Sequence, residues 1–508
     1  MKTSAVSGLL LLFVLFVNAQ APSYEIGERF NDRYKYSTLL ASAQTQNGKI
    51  FMVRKYFGGL PLQPKGVFIE VYDKQMQLLS DYNFKKPSKY MIDAWVAQGQ
   101  LHILELTYNE SRLAYEYIVH SSSVDHFGFK PKKLLSFPSK PVEDPLRAQR
   151  IKGKSNGSFN TQVLFDDSKQ AFAIDIRFKK GKERGQMLYG FNADLSPIME
   201  HDFKIPAEAK DYAFEYLAQK DGVCYLMGKA FFRKKRFDVK ERRFQYELVR
   251  VAGDKTHFQS FSEAGKYPES LKPVLDGSAL KTVGFYADRK DKRFNGLVYF
   301  ELDPQDLSIK KTRYNAFSEQ FMLDKFGRTD EAEIKNLVFK EVALSPDGGL
   351  LFSAEEFFVT ETTEANSAGG RVKIERFHYN DIVCAKIDAS GHMAWARNIN
   401  KTEVTQGDGA YASYSTFAKD GRLYFFINSG ENPQKLSNDR IQFKQGYSRN
   451  PNLFSINLDA QGKMEYRKLI NDKEARIPLM VSKPLKTTDG LFFYAKRGSK
   501  KQLVQVAL

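Results

Sequence analysis

A short polar turn followed by an apolar run returns eight times along this 508-residue chain. Six copies are plain: QNGKIFMV from Gln46, AQGQLHILEL from Ala97, KDGVCYLMG from Lys220, PDGGLLFSA from Pro346, KDGRLYFFI from Lys419 and TDGLFFYA from Thr488. DDSKQAFAIDI from Asp166 and LDGSALKTVGFY from Leu275 are weaker copies. Asp-Gly and Asn-Gly suit tight hairpins because their backbones tolerate positive φ, so each copy predicts a turn and the strand after it. A second strand follows each time, from GVFIEVYD at Gly66 to KQLVQVAL at Lys501. Seven of the eight continue into another turn and an outer strand. The clearest are IDASGHMAWARNI and LDAQGKMEYRKLI, in which Asp388, Gly391 and Trp395 match Asp459, Gly462 and Tyr466. The eighth copy stops at Leu508 without an outer strand, and SYEIGERF from Ser23 is the segment that can supply it.

Four-stranded units repeated around a ring and closed by strands from both termini describe an all-β chain, a β-propeller. Eight blades are expected, with seven as the alternative, in a single domain over residues 20–508. A unit then averages about 61 residues, longer than compact blades of roughly 40–50, so long loops are predicted. Tandem β-sandwiches also give many short strands, but the shared turn–strand–loop–strand order argues against them. LSPDGGLLFSA from Leu344 resembles the Ser-Pro-Asp-Gly turn of WD40-like propeller repeats. That resemblance covers one blade of eight and implies fold alone, because propellers host many unrelated functions.

Composition changes the picture in two ways. Aromatic residues are 14% of the chain, with 41 Phe and 26 Tyr, which favours strands over helices. The first 19 residues depart from the pattern altogether. Lys2, an apolar run at residues 8–17 (GLLLLFVLFV) and Val17-Asn18-Ala19 form the order of a signal peptide cut after Ala19. Export is therefore expected, to the periplasm, the periphery of the envelope or outside the cell. No later run is long and apolar enough for a membrane helix. Cys224 and Cys384 lie inside strand-like runs and read as buried, unpaired thiols.

Little chemistry is written along the chain. None of the seven histidines stands at metal-ligand spacing, and neither a nucleophile elbow nor a phosphate loop is present. No metal or cofactor is called for, and no catalytic residue can be nominated. Asp388 and Asp459 read as carboxylates that bond their own turns. Asp166 and Asp167 could act as acid and base, but glycoside hydrolysis needs two carboxyls roughly 5–9.5 Å apart, which spacing along a chain cannot establish. Asn109, Asn156 and Asn400 head glycosylation triplets.

Charge gives the one functional pointer. The net charge is +17, and four equivalent second-to-third-strand loops hold most of it. Repeat three has Lys179, Lys180, Lys182 and Arg184; repeat four has Arg233, Lys234, Lys235, Arg236, Lys240, Arg242 and Arg243. Repeat five adds Arg289, Lys290, Lys292 and Arg293, and repeat eight Lys496, Arg497, Lys500 and Lys501. After their acidic residues are subtracted these loops carry +3, +5, +2 and +4, together +14. In a propeller such loops emerge on one face. The expectation is a monomeric, non-catalytic binding or assembly module whose basic face takes an anionic polymer or envelope surface. The alternatives are an enzyme acting on an acidic polysaccharide and an adaptor that docks a protein through loops 359–380 and 428–451. Solubilising hairpins that block edge pairing are the plain structural account of the same lysines.

Overall fold

A computed structural model describes residues 21–88, 90–138, 161–180, 183–206, 208–232, 244–261, 263, 265–288, 293–329, 334–365, 370–445 and 452–508. Its strands form eight sheets in chain order, antiparallel except for one strand added to the sixth, beginning with Ser37–Gln44, Ile50–Gly58, Gln63–Tyr72 and Leu78–Phe84. First strands of neighbouring sheets approach one another, as the innermost strands of a ring do. The chain is a β-propeller of eight blades. Three of its first turns take the two-residue form expected of tight hairpins: Gln98-Gly99, Asp221-Gly222 and Asp420-Gly421 have positive φ at both positions.

The core lies between the blades. Phe352, Ala354, Val383 and Ala385 of blade 6 pack on Phe285, Leu297 and Tyr299 of blade 5, all of them buried. The aromatic excess is spent here, with Phe285 and Phe352 meeting edge-on at 5.1 Å between ring centres. The second turns fix how adjacent blades nest. Asp388 Oδ1 accepts from the amides of Ser390 and His392 at 2.8 and 2.9 Å, and Asp459 Oδ1 repeats this with Gln461 and Lys463. That bonding presses Gly391 (φ 89°) onto Tyr299 and Gly462 (φ 79°) onto Trp395, where any Cβ would come within 2.6 Å of the ring. Glycine is required at both positions by backbone sign and by space.

Blade 8 is completed from the N-terminus. Ser23–Ile26 pairs antiparallel with Lys500–Ala507, in the register Ser23↔Ala507 to Ile26↔Val504, and Phe30–Asn31 pairs with Lys501 and Lys500. Cys224 and Cys384 are free and buried, in blades 4 and 6. Burial pushes the Cys224 thiol up to about 12, so it is protonated at neutral pH.

Two stretches expected as loops are regular structure instead. Residues 359–380 belong mostly to a long hairpin, Leu350–Ala365 with Arg371–Ile387, that carries blade 6 beyond its neighbours. The insertion 428–451 contains Ile441–Lys444, which adds in parallel to the outer strand Met393–Thr405 of blade 6 and ties blade 7 to it. The longer of two helices among the described residues, Glu319–Phe326, is not foreshadowed by the strand pattern. Ser318 caps its start, Gly327 (φ 72°) ends it, and it packs on Met393–Thr405. Asn400 on that strand is buried and donates to the carbonyl of Asp324 at 2.8 Å, so it is no glycan acceptor; Asn156 lies outside the described residues.

Candidate functional site

A hollow of about 440 Å³ opens on the face that carries the second-to-third-strand connections and the linkers between blades. Its wall is the linker from Met393–Thr405 to Ser415–Lys419, and its other sides come from the blade 7 insertion and the blade 8 turn at Arg497. The linker is shaped by its own bonds. Thr405 Oγ1 accepts from Gly407 N at 3.0 Å, and Asp408 Oδ1 accepts from Ala410 N at 3.1 Å. Gly409 (φ 73°) passes so close to the Tyr379 hydroxyl that a Cβ would lie 2.2 Å from it.

Each carboxylate lining the hollow is already engaged. Glu403 Oε2 accepts from Lys401 Nζ at 2.8 Å and from Ser413 N at 2.7 Å. Lys401 also meets Glu355 at 3.1 Å and the Tyr379 carbonyl at 2.8 Å, and Ser413 Oγ donates to Glu355 at 2.6 Å. Lys401, Glu355 and Glu403 are all essentially buried. Burial opposes charge on Lys401, but the two carboxylates outweigh it and raise its pKa. Burial raises Glu403 while Lys401 pulls against that shift. Asp408 pairs with Lys483 at 3.0 Å. Asn428 spends both amide hydrogens on the Tyr411 and Leu479 carbonyls, and Tyr411 donates to the carbonyl of Lys496 at 2.9 Å. Arg497 is exposed and has no ion pair or hydrogen bond within the described residues. It is the one charge in the lining left free among the described residues.

The remaining predicted basic residues fall into three groups. Lys182, Arg233, Lys234, Lys235, Arg236, Lys240, Arg242, Arg243, Arg289, Lys290 and Lys292 lie outside the described residues, as do the side chains of Lys179, Lys180 and Arg184. Arg293 and Lys500 are described at the expected loops; Lys500 is exposed and hydrogen-bonds Asn31.

Lys496 and Lys501 are corrected from surface cations to buried ones, 6% and 4% exposed. They sit where blade 8 meets blade 1, in a cluster with Asp32, Arg54 and Glu70. Arg54 bonds both oxygens of Asp32, at 2.8 and 2.9 Å, and reaches Glu70 at 2.9 Å. Lys496 joins Asp32 and Lys501 joins Glu70. The rings of Phe68 and Tyr494 flank the guanidinium. Three cations thus share two carboxylates out of contact with water.

Burial pushes the Lys496 ammonium down to about 8 and the Lys501 ammonium to about 7, Arg54 adding to the second. The unfolded chain, where both approach the ordinary lysine value, then binds more protons than the folded protein between about pH 7 and 10. Stability should therefore rise with pH across that window. Urea midpoints at about pH 7 and pH 9 check it, with Lys501→Met flattening the rise because two cations then match two carboxylates. A midpoint that falls toward pH 9 would contradict this reading of the cluster.

Among the described residues no group of three His, Cys, Asp or Glu side chains is placed to hold a metal ion, and no helix is long and apolar enough to cross a membrane. Asp166 accepts from Ala171 N in its own turn, and the exposed Asp167 pairs with Lys272 at 2.8 Å.

No protein-family model matches the chain, and no curated protein matches it in sequence. Solved structures resemble it in architecture. The β-propeller domain of the Trilobed protease from Pyrococcus furiosus, described as having an open velcro topology, is 10% identical, with 86% of this chain and 96% of that one covered at a TM-score of 0.36. The polysaccharide lyase Uly1 is 10% identical over 97% of this chain and 94% of that one, at 0.35. The WD40 domain of SCAP from fission yeast is 8% identical over 96% and 98%, at 0.34. At such values the assignment of eight blades rests on this chain's own strand pairing.

Proposed function

We propose that this protein is an exported, non-catalytic binding propeller that takes the acidic groups of an anionic polymer on its linker-bearing face. The observation behind this reading is the state of charge in the 440 Å³ hollow, where both lining carboxylates are tied to lysines and Arg497 has no partner. A free guanidinium at the mouth of a concave site presents a planar fork that matches a carboxylate or sulfate. Glu403 and Asp408, held by Lys401 and Lys483, are poorly placed to exchange protons with a substrate. Arg293 and Lys500 are described on the same class of loop, and the lysine-rich connections of repeats three and four belong to that class by sequence. Several cations on one face add their potentials, which gives long-range attraction as well as contact.

Polygalacturonate and heparin, one carboxylated and one sulfated, are suitable probes. Binding is expected to weaken steeply with added salt, because the Debye length is about 8 Å at physiological ionic strength. Arg497→Glu should weaken it by about tenfold to a hundredfold, since a hydrogen bond to a charged group contributes roughly 1.5–3 kcal/mol. Replacing Arg233, Lys234, Lys235 and Arg236 together by Glu should weaken it further without unfolding the protein, exposed charges contributing little to stability. Binding that ignores both changes would sink the proposal. Release of new reducing ends from either polymer would favour the enzyme reading in its place.

A further inference from the structure

Two hollows flank Tyr466 on the outer side of blade 7, one of about 300 Å³ toward blade 6 and one of about 230 Å³ beside Ala21 and Pro22. Tyr466 lines both and is 47% exposed. It nevertheless stands at the motif position that Trp395 occupies in blade 6. A register shift in blade 6 accounts for the difference: Trp395 pairs with Lys386 and turns toward blade 7, whereas Tyr466 pairs with Ile456 and turns back toward blade 6. Trp395 is buried beneath the second turn of the next blade, against Gly462, with its Nε1 donating to the Ala460 carbonyl at 3.0 Å. The Tyr466 ring meets Phe443 edge-on at 5.6 Å between ring centres, and about half of it stays exposed.

Both hollows also contain an asparagine side-chain carbonyl without a partner among the described residues. In the larger, Asn398 is 1% exposed and gives its amide hydrogens to Asp381 and Asn400, each at 3.2 Å, while its buried Oδ1 has no hydrogen bond. In the smaller, Asn457 Oδ1 is buried and unbonded in the same way. A buried acceptor left unbonded is costly, so a ligand able to donate to it gains affinity. In the smaller hollow Arg467 donates to the Pro22 carbonyl, while the Arg422 side chain has no ion pair or hydrogen bond among the described residues; the arginines of the larger hollow are occupied. Arg397 is held by Asp324, and Arg440 donates to the carbonyls of Ser437 and Lys325. Asp439, exposed at the rim with φ 55°, is a further acceptor.

We infer that the outer side of blade 7 binds a hydroxyl-rich ligand of at least two rings, an oligosaccharide, with Tyr466 as the ridge between two subsites. The chemistry fits at each point. The apolar face of a sugar ring packs on an exposed aromatic side chain, and its hydroxyls donate to Asn398, Asn457 and Asp439. Each hollow is at or below the lower limit of about 300 Å³ for drug-sized sites, so each suits one ring. This surface is separate from the Arg497 hollow, sharing no lining residue with it.

Cellobiose, maltose, xylobiose and chitobiose, each with its monosaccharide, are titrated into the protein by calorimetry in the millimolar range. At least one disaccharide is expected to bind about tenfold more tightly than its monosaccharide, and without the salt dependence of an anionic ligand. Tyr466→Ala should cost about tenfold or more, and Tyr466→Phe should keep affinity within about threefold because the ring face is retained. Asp439→Asn, which tolerates the same positive φ, should weaken binding severalfold. Thermal unfolding of each variant verifies that the fold is intact. If no disaccharide binds, or if Tyr466→Ala binds like the parent protein, the inference is overturned.

Discussion

Asp32→Ala is expected to destabilise the protein by about 3–5 kcal/mol, the range measured when one partner of a buried ion pair is removed. Asp32 supplies both of its oxygens to Arg54 and also accepts from Lys496, and its side chain is wholly buried. Without it three buried cations share only Glu70. Lys496 also donates to the Tyr34 carbonyl, but a neutral acceptor does not replace a carboxylate. Equilibrium unfolding in urea at neutral pH measures the loss. Combining Asp32→Ala with Lys496→Met should recover part of it, because the orphaned ammonium goes as well. A loss below about 1 kcal/mol would mean that water reaches the cluster and screens it.

Deleting residues 21–31 should cost a comparable amount, about 3–5 kcal/mol, and make unfolding less cooperative. Tyr24 and Ile26 pack against the buried cluster of blades 7 and 8, and Phe30 against the cluster joining blade 8 to blade 1. Full burial of one such side chain contributes roughly 1.5–3 kcal/mol, and these three are partly buried. The deletion also bares the ladder groups of Lys500–Ala507, an open edge in a ring that otherwise has few. Calorimetric melting compared with the intact chain measures the effect. Identical transitions would show that the N-terminal strand only decorates blade 8.

The fold could be read from the sequence because its signals are local. Asp221-Gly222 and Asp420-Gly421 dictate their turns without reference to the rest of the chain, and the absence of an outer strand after Gln502 to Leu508 pointed to Ser23. The site could not, because its members are joined only in space. Lys496 reads as one more basic loop residue until Asp32, 464 positions earlier, comes to lie beside it. Lys401, Glu355 and Glu403 sit at ordinary strand positions, and only the crossing of two strands and a linker makes them a buried triad. The insertion 428–451 looked like a loop since its polar residues give no alternation. Ile441–Lys444 becomes a strand because the outer edge of blade 6 offers it partners. Tyr466 matches Trp395 by motif, yet a shift of strand register turns its ring to the other side of the blade, where about half of it stays exposed.

The proposal that the linker-bearing face is the binding surface is tested most directly by amide hydrogen exchange with and without saturating polygalacturonate. Protection is expected in residues 405–412 and at Arg497 to Lys500, which border the hollow with the free guanidinium. Exchange at the Asp-Gly turns on the opposite end, Asp221-Gly222 and Asp420-Gly421, should be unchanged. Protection confined to those turns, with none around Arg497, would contradict the account.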